Sequence, residues 1–357
     1  MNAVQEKNPL KRANAEVDAR WNGLVERLHV DRSARRMLLL VVVAFAIFAA
    51  LKPSVFLSGI NLQNIAISSP EIGVIAIAMM LAMLTGGIDL SLVSIANLSA
   101  ITISTLFTAV ATNNPDQAEQ LFPLLVLVGL VVGLLGGAVN GLLVSRLGIT
   151  PILATLGTMQ IYNGVAVAWT GGKTLYGSPA ALTSIGQSTV GGVPTLFVIF
   201  VVVAVLVGIV VKRTPLGLKV TLQGANPTAA RYSGINSRAV LMSTYLLTGT
   251  LGGIAGVLFL ARNPTASADY GASYVLLVIV IAVLGGTNPN GGFATVFGVV
   301  LATLTLQIVS SGFTALRLSA FQYSIAQGVI LIAVMVIDQV QWRRRPRSRR
   351  AAVGVGS

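Results

Sequence analysis

The sequence predicts an all-α, polytopic membrane protein of about ten transmembrane helices packed as one bundle, and three observations carry that prediction. Of 357 residues, 54% are hydrophobic and only 10% are charged, whereas soluble domains carry roughly a quarter charged residues. The mean hydropathy is strongly positive, at +0.82. The apolar residues are gathered into runs long enough to cross a bilayer and joined by short loops, which indicates one continuous bundle rather than several soluble units.

Taken in order, the chain opens with a segment, 1–36, that is too long and too mixed in charge to be the short basic start of a secretory signal, so Leu38–Ala50 is expected to be an uncleaved anchor. Within it, Val17, Trp21, Leu24 and Leu28 recur at helical spacing beside Glu16, Arg20, Glu26 and Arg27, the pattern of an amphipathic helix on a membrane surface or of a solvated helix. Apolar runs then mark spans at 37–51, 60–84, 89–111, 121–145, 151–169, 194–212, 238–261, 270–285, 293–313 and 318–338. They make up a membrane domain over 37–341, followed by a basic tail, 342–357, in which Arg343, Arg344, Arg345 and Arg347 suit anionic lipid headgroups.

An even number of spans puts both termini on one side, and the basic residues say which. With the termini cytoplasmic, that side holds 20 of the Lys and Arg residues and the other only four: Lys52, Lys173, Arg262 and Arg317. The net charge of +13 is therefore a signature of topology and calls for no nucleic acid.

Inside the spans, Gly129, Gly133, Gly137 and Gly141 repeat every fourth residue, and Gly249, Gly253 and the offset pair Gly252 and Gly256 form a second smooth stripe. Such stripes let another backbone approach closely, here expected within the chain rather than at a dimer seam. Polar side chains at lipid depth should face protein or water, so Asn97, Asn140, Gln160, Asn163, Gln307, Gln322 and Gln327 are expected to point inward. Asn97, Asn140, Asn163, Thr303, Gln307 and Gln322 are candidates for a translocation pathway, with Thr303, Gln307 and Ser311 on one helix face; helix-to-helix hydrogen bonds would use the same groups. Asp89 follows Gly86 and Gly87 at a break between spans and can cap the next helix. Glu71 shows no basic partner within a span, so it is protonated, faces a watery cavity, or lies nearer the outer surface. Gly285 and Gly286 mark another break.

The longest loop on the cytoplasmic side, 212–238, carries a miniature helix with both punctuation marks: Asn226 as N-cap, Pro227 in the first turn, and Gly234 as the left-handed stop, with Ala229, Ala230, Arg231 and Ser233 between them and Ile235 after. This segment, GANPTAARYSGI from Gly224 to Ile235, resembles the coupling segment of ribose-type ABC importer permeases of the ribose/branched-chain amino acid permease superfamily. LTGGIDLS at 84–91, GGAVNGLLVSRLGITPILATLGTM at 136–159 and VLGGTNPNGGFATVFGVVLATL at 283–304 resemble the same family in order and spacing, so that the likeness spans about 37–338. The resemblance implies a permease subunit in a bacterial cytoplasmic membrane, paired with a second permease copy or a paralogue, with ATPase subunits that hold the ATP and magnesium, and with a soluble binding protein that delivers a sugar-like solute. No cofactor is then expected on this chain.

Other classes fit the residues less well. An ion-coupled secondary transporter needs acidic residues near the midplane, and only Glu71 and Asp89 are offered. An enzyme is disfavoured by the absence of cysteine, the single histidine (His29) in the charged N-terminal segment, and the lack of clustered carboxylates for catalysis or a metal. Gly171-Gly172-Lys173-Thr174 imitates the end of a phosphate-binding loop, but the required earlier glycine is Val167.

Overall fold

The computed structural model describes residues 32–319, 321–329 and 332. The amphipathic segment at 13–30 and the basic tail from Arg343 lie outside these residues. The described chain starts as α1 (Arg32–Leu51), turns through the four-residue α2 (Pro53–Phe56) and returns as the 26-residue α3 (Gly59–Leu84). Then follow α4 (Leu92–Ala111), the short α5 (Pro115–Gln120), α6 (Phe122–Ser145) and α7 (Pro151–Thr170). The segment that follows holds β1 (Leu175–Tyr176), α8 (Ala180–Gln187) and the hairpin of β2 (Thr189–Val190) and β3 (Val193–Pro194). The remainder is α9 (Thr195–Arg213), α10 (Pro215–Ala225), α11 (Pro227–Tyr232), α12 (Ser237–Arg262), β4 (Thr265–Ala266), α13 (Tyr274–Leu284), α14 (Val296–Ala315) and a last helix, α15, described over 321–329.

Among the described residues, six helices are long and apolar enough to cross a membrane: α3, α4, α6, α9, α12 and α14. The protein is thus mostly helical and polytopic. Two expectations change in detail. The span read at 270–285 is helical only over the 11 residues of α13, because the preceding stretch spends its backbone on other partners: β4 pairs antiparallel with β1, and further carbonyls accept from side chains described below. The loop at 212–238 contains a second helix, α10, which begins with its own Thr-Pro start; Thr214 caps it by accepting from the Gly217 N–H at 3.3 Å, and Pro215 takes the first turn.

The helix α3 runs through the centre, buried continuously from Ser69 to Leu84, and packs on α12, α14, α9 and α13. Sequence explains the choice: from Ile72 to Leu84 α3 is apolar on every face, the composition of a helix enclosed by protein.

The most extensive helix pair is α6 with α12. The two glycine stripes meet each other there. A Cβ added at Gly133 would stand 2.6 Å from the Gly253 backbone, and one at Gly253 would stand 2.9 Å from the Gly129 carbonyl oxygen; real Cβ atoms do not approach so closely. The seam is internal to the chain, as the sequence suggested, and its attraction comes from close backbone packing that larger side chains would prevent. Replacing Gly137 with leucine, whose side chain would run into the Tyr245 carbonyl and Gly249, should separate α6 from α12 and lower the yield of folded protein in size-exclusion chromatography at least tenfold; Gly157→Leu, where nothing lies within 4 Å, should not.

Candidate functional site

Two of three similarly capped helix ends, those of α3 and α13, meet at one end of the bundle. The helices α3, α11 and α13 all stop with the same device, a glycine in the left-handed region just past the helix: Gly86 (φ 82°), Gly234 (φ 78°) and Gly286 (φ 91°). In each, two backbone N–H groups fold back onto the last turn: Gly86 and Gly87 onto Met83 and Ala82, Gly234 and Ile235 onto Arg231 and Ala230, and Gly286 and Thr287 onto Val283 and Ala282. Helix-end carbonyls are thereby satisfied where no water is assured.

Behind these caps the backbones touch directly. The N–H of Gly292 donates to the Leu84 carbonyl at 3.0 Å, which ties the loop after α13 to the end of α3. Gly224, on the last turn of α10, is wedged against the same two groups: a Cβ there would lie 2.7 Å from the Gly292 nitrogen and against the Leu84 oxygen. A Cβ on Gly291 would be 2.8 Å from both the Gly86 nitrogen and the Gly224 oxygen. Glycine is needed at Gly224 for approach and at Gly291 (φ 91°) for approach and conformation together. Gly86, Gly87, Gly285 and Gly286 thus lie in breaks that Gly224 links to α10 and, two residues on, to α11.

The helix α11 is built as its residues predict. Asn226 accepts from the Ala229 N–H at 2.9 Å and Pro227 occupies the first turn. Its two faces differ. Ala230 is 4% exposed and turned into the protein, so it is not on the surface offered to a partner, whereas Thr228, Ala229, Arg231 and Ser233 are exposed and Tyr232 is 89% exposed. The sequence reads Ala229, Ala230, Arg231 and Tyr232 together as the docking surface of this helix; of these, Ala230 is turned inward and Tyr232 outward.

Asp89 has a different role from the cap expected of it. The helix α4 starts at Ser91 with no side-chain cap, while Asp89, fully buried, accepts from the Ser91 N–H at 3.1 Å and hydroxyl at 2.7 Å and from Thr248 on α12 at 3.2 Å. Asn140 joins by donating to the Ser91 hydroxyl at 2.7 Å and accepting from Thr158 at 2.6 Å. Thr155 of α7 accepts from the Leu90 N–H at 3.1 Å. One polar node therefore fastens the 85–91 break to α6, α7 and α12.

Glu71 does have a basic partner. Its carboxylate is fully buried and accepts from Arg262 at 2.7 Å and from the Tyr270 hydroxyl at 3.1 Å, while Arg262 also donates to Ser68 at 3.0 Å. The sequence hid this pair because Arg262 sits at the far end of α12, 191 residues away.

The remaining polar candidates divide by position. Asn97 donates to the carbonyls of Ala268 and Tyr270 at 2.8 and 2.9 Å, and Asn163 donates to Ala268 at 3.2 Å, so both hold the non-helical stretch ahead of α13. Gln307 and Ser311 bond across to Ser68 and Asn61 on α3, and Thr303 bonds within its own helix. Gln327 is half-buried; Gln160 and Gln322 are exposed on the single chain rather than inward. Gln322 accepts from the Ser319 N–H at 2.7 Å while Ser319 accepts in return, a reciprocal cap at the start of α15.

Asn140 also donates to Asp89 at 3.5 Å, and because an amide cannot accept four donors as a carboxylate does, Asp89→Asn should cost about 2–4 kcal/mol and lower the thermal midpoint in detergent, as read by nanoscale fluorimetry.

Residues 61–337 match the family described as branched-chain amino acid transport system/permease component. The autoinducer 2 import system permease protein LsrD of Yersinia pseudotuberculosis serotype IB is 32% identical over 296 residues, covering 79% of this chain and 86% of that protein. The D-allose transport system permease protein AlsC of Escherichia coli K12 is 28% identical over 301 residues, covering 84% and 90%. No solved structure matches. With a family match across most of its length and membrane-length helices converging on shared motifs, the chain belongs to the branched-chain amino acid transport system/permease component family and is a multi-pass membrane transport subunit.

Proposed function

We propose that this chain is the pore-forming subunit of an ATP-driven importer for a sugar or sugar-like solute, with α11 as the helix on which an ATPase acts. The observation that carries this reading is the backbone contact of Gly224 with both Leu84 and Gly292: a push on α11 reaches, through two residues, the breaks at 85–91 and 285–295. Elements that are interrupted and approach backbone to backbone, beside the apolar cluster of Leu84, Val220 and Val240, can shift as rigid pieces, as alternating access requires. The solute class rests on the relatives named for autoinducer 2 and D-allose, and on an interior whose polar groups are amides and hydroxyls suited to weak hydrogen bonding. On this reading the pathway runs beside the non-helical stretch at 263–273, where Asn97 and Asn163 share the Ala268 carbonyl, with Gln307 nearer α3; Asn140, Thr303 and Gln322, already committed within the fold, contribute indirectly.

Ten crossings follow if α1, α7, α13 with its lead-in, and α15 join the six long spans, with both termini cytoplasmic and α10–α11 on that side. A second permease copy or paralogue is supported by α7, where Gln160 is exposed between Gly157 and Gly164, each with open space beside it; an amide facing lipid is costly, and a partner helix would relieve it. A soluble binding protein would deliver the solute, and ATP and magnesium would reside on the ATPase. The ion-coupled alternative loses its chief candidate, since Glu71 is ion-paired with Arg262.

In proteoliposomes with the ATPase, Tyr232→Asp should abolish both ATPase recovery and uptake with membrane insertion unchanged; recovery of the ATPase at the wild-type level would remove α11 from this role. Gly224→Ala should keep the ATPase bound and hydrolysing while uptake falls at least tenfold. A cysteine at Thr174 should react with an impermeant maleimide from outside intact cells, and one at Ser233 only after permeabilisation.

A further inference from the structure

We propose that a pocket beside α11 binds a phosphoryl group, carried by an anionic lipid headgroup or by a soluble phosphomonoester, and so links ligand to the position of the coupling helix. The inference rests on the cytoplasmic placement of this end of the bundle. The pocket has a volume of about 560 Å³ and is walled by Arg146 at the end of α6, Arg231 on α11 and Arg238 at the start of α12. No Asp or Glu lines it, and among the described residues none of the three arginines meets a carboxylate. Guanidinium groups from three separate elements around one cavity match the several acceptor oxygens and the negative charge of a phosphoryl group, whether monoester or diester.

Two further features point the same way. Ser145 is among the residues that line the pocket and is 7% exposed, and its buried hydroxyl has no hydrogen-bond partner in the folded chain. A buried hydroxyl left unpaired costs free energy, which rotation toward a ligand oxygen would recover. The 26-residue α12 also opens here: Asn236 satisfies the Ala239 N–H at 3.1 Å, leaving those of Ser237 and Arg238 without a helical acceptor and favouring an anion. Val144 and Ser145, from the last turn of α6, also line the pocket, and the Arg146 charge offsets the negative end of that helix. Arginines that only set topology need neither a cavity nor a buried hydroxyl. A ligand seated here would bridge α6, α11 and α12 and restrain α11, giving the permease a control that the solute does not occupy.

The test uses the full chain in phosphatidylcholine nanodiscs, titrated with sn-glycerol 3-phosphate by calorimetry, and discs containing phosphatidylglycerol examined by native mass spectrometry. Saturable binding of the soluble ester assigns a phosphomonoester site; retention of phosphatidylglycerol alone assigns a lipid site; either supports the pocket if it weakens about tenfold in Ser145→Ala and at least a hundredfold in Arg146→Gln/Arg238→Gln. The serine variant removes only an unpartnered hydroxyl, so folding is preserved where the double variant fails. Absence of binding by both probes, or equal weakening by Arg213→Gln outside the pocket, overturns the proposal. ATPase recovery and uptake, which judge the importer reading, are separate measurements and stand or fall independently.

Discussion

A helix that stops inside or at the edge of a bilayer must have its exposed N–H and C=O groups met by protein, since lipid supplies no partner. The structure turns on that constraint. Three breaks, at 85–91, 263–273 and 285–295, interrupt otherwise continuous apolar helices, and each is sealed by a specific set of groups. Left-handed glycines fold N–H groups back onto the ends of α3 and α13; Gly292 meets the Leu84 carbonyl. Asn97 and Asn163 meet the carbonyl of Ala268. The buried carboxylate of Asp89 gathers the N–H and hydroxyl of Ser91.

Glycine does two separate jobs in this scheme. At Gly86, Gly234 and Gly286 it supplies a backbone conformation that a side chain would strain. At Gly133, Gly137, Gly224 and Gly253 it supplies space, so that one backbone lies on another. The first job ends a helix and the second brings that end against a neighbour. Together they give contacts with few side chains between the two backbones.

The two buried carboxylates anchor opposite ends of the same framework. Asp89 holds the α3–α4 break to α6 and α12, where hydroxyls and an amide surround it. Glu71, paired with Arg262 and Tyr270, fixes the start of the stretch that leads into α13. A buried ion pair is weak evidence for net stability, but loss of one partner leaves a charge uncompensated, so both groups favour a defined arrangement over a slack one. Between these anchors the protein is largely apolar, and Asn97, Asn163, Gln307 and Ser311 spend their polar groups on bonds between segments.

Much of this was legible beforehand. Apolar run length marks membrane-crossing helices without reference to any partner, the asymmetry of Lys and Arg predicts an orientation, and Asn226-Pro227 with Gly234 specifies a short helix because capping is local chemistry within a few residues. The glycine stripes announced a close helix contact. Their mutual pairing, the junction of Gly224 with Leu84 and Gly292, the Glu71–Arg262 pair, and the choice of Tyr232 rather than Ala230 for the exposed face of α11 were decided by tertiary structure. These features join residues distant in sequence or depend on which side of a helix meets its neighbour, and no local pattern encodes either; α10 was missed although Thr214-Pro215 announced it, because its start signal stood in a stretch read as loop. Sequence alone determined that the long apolar runs must be helices and that Gly86, Gly234 and Gly286 mark stops, because those choices depend on solvent and backbone sterics; only the packed structure decided which stops touch, because that depends on the whole bundle closing around them.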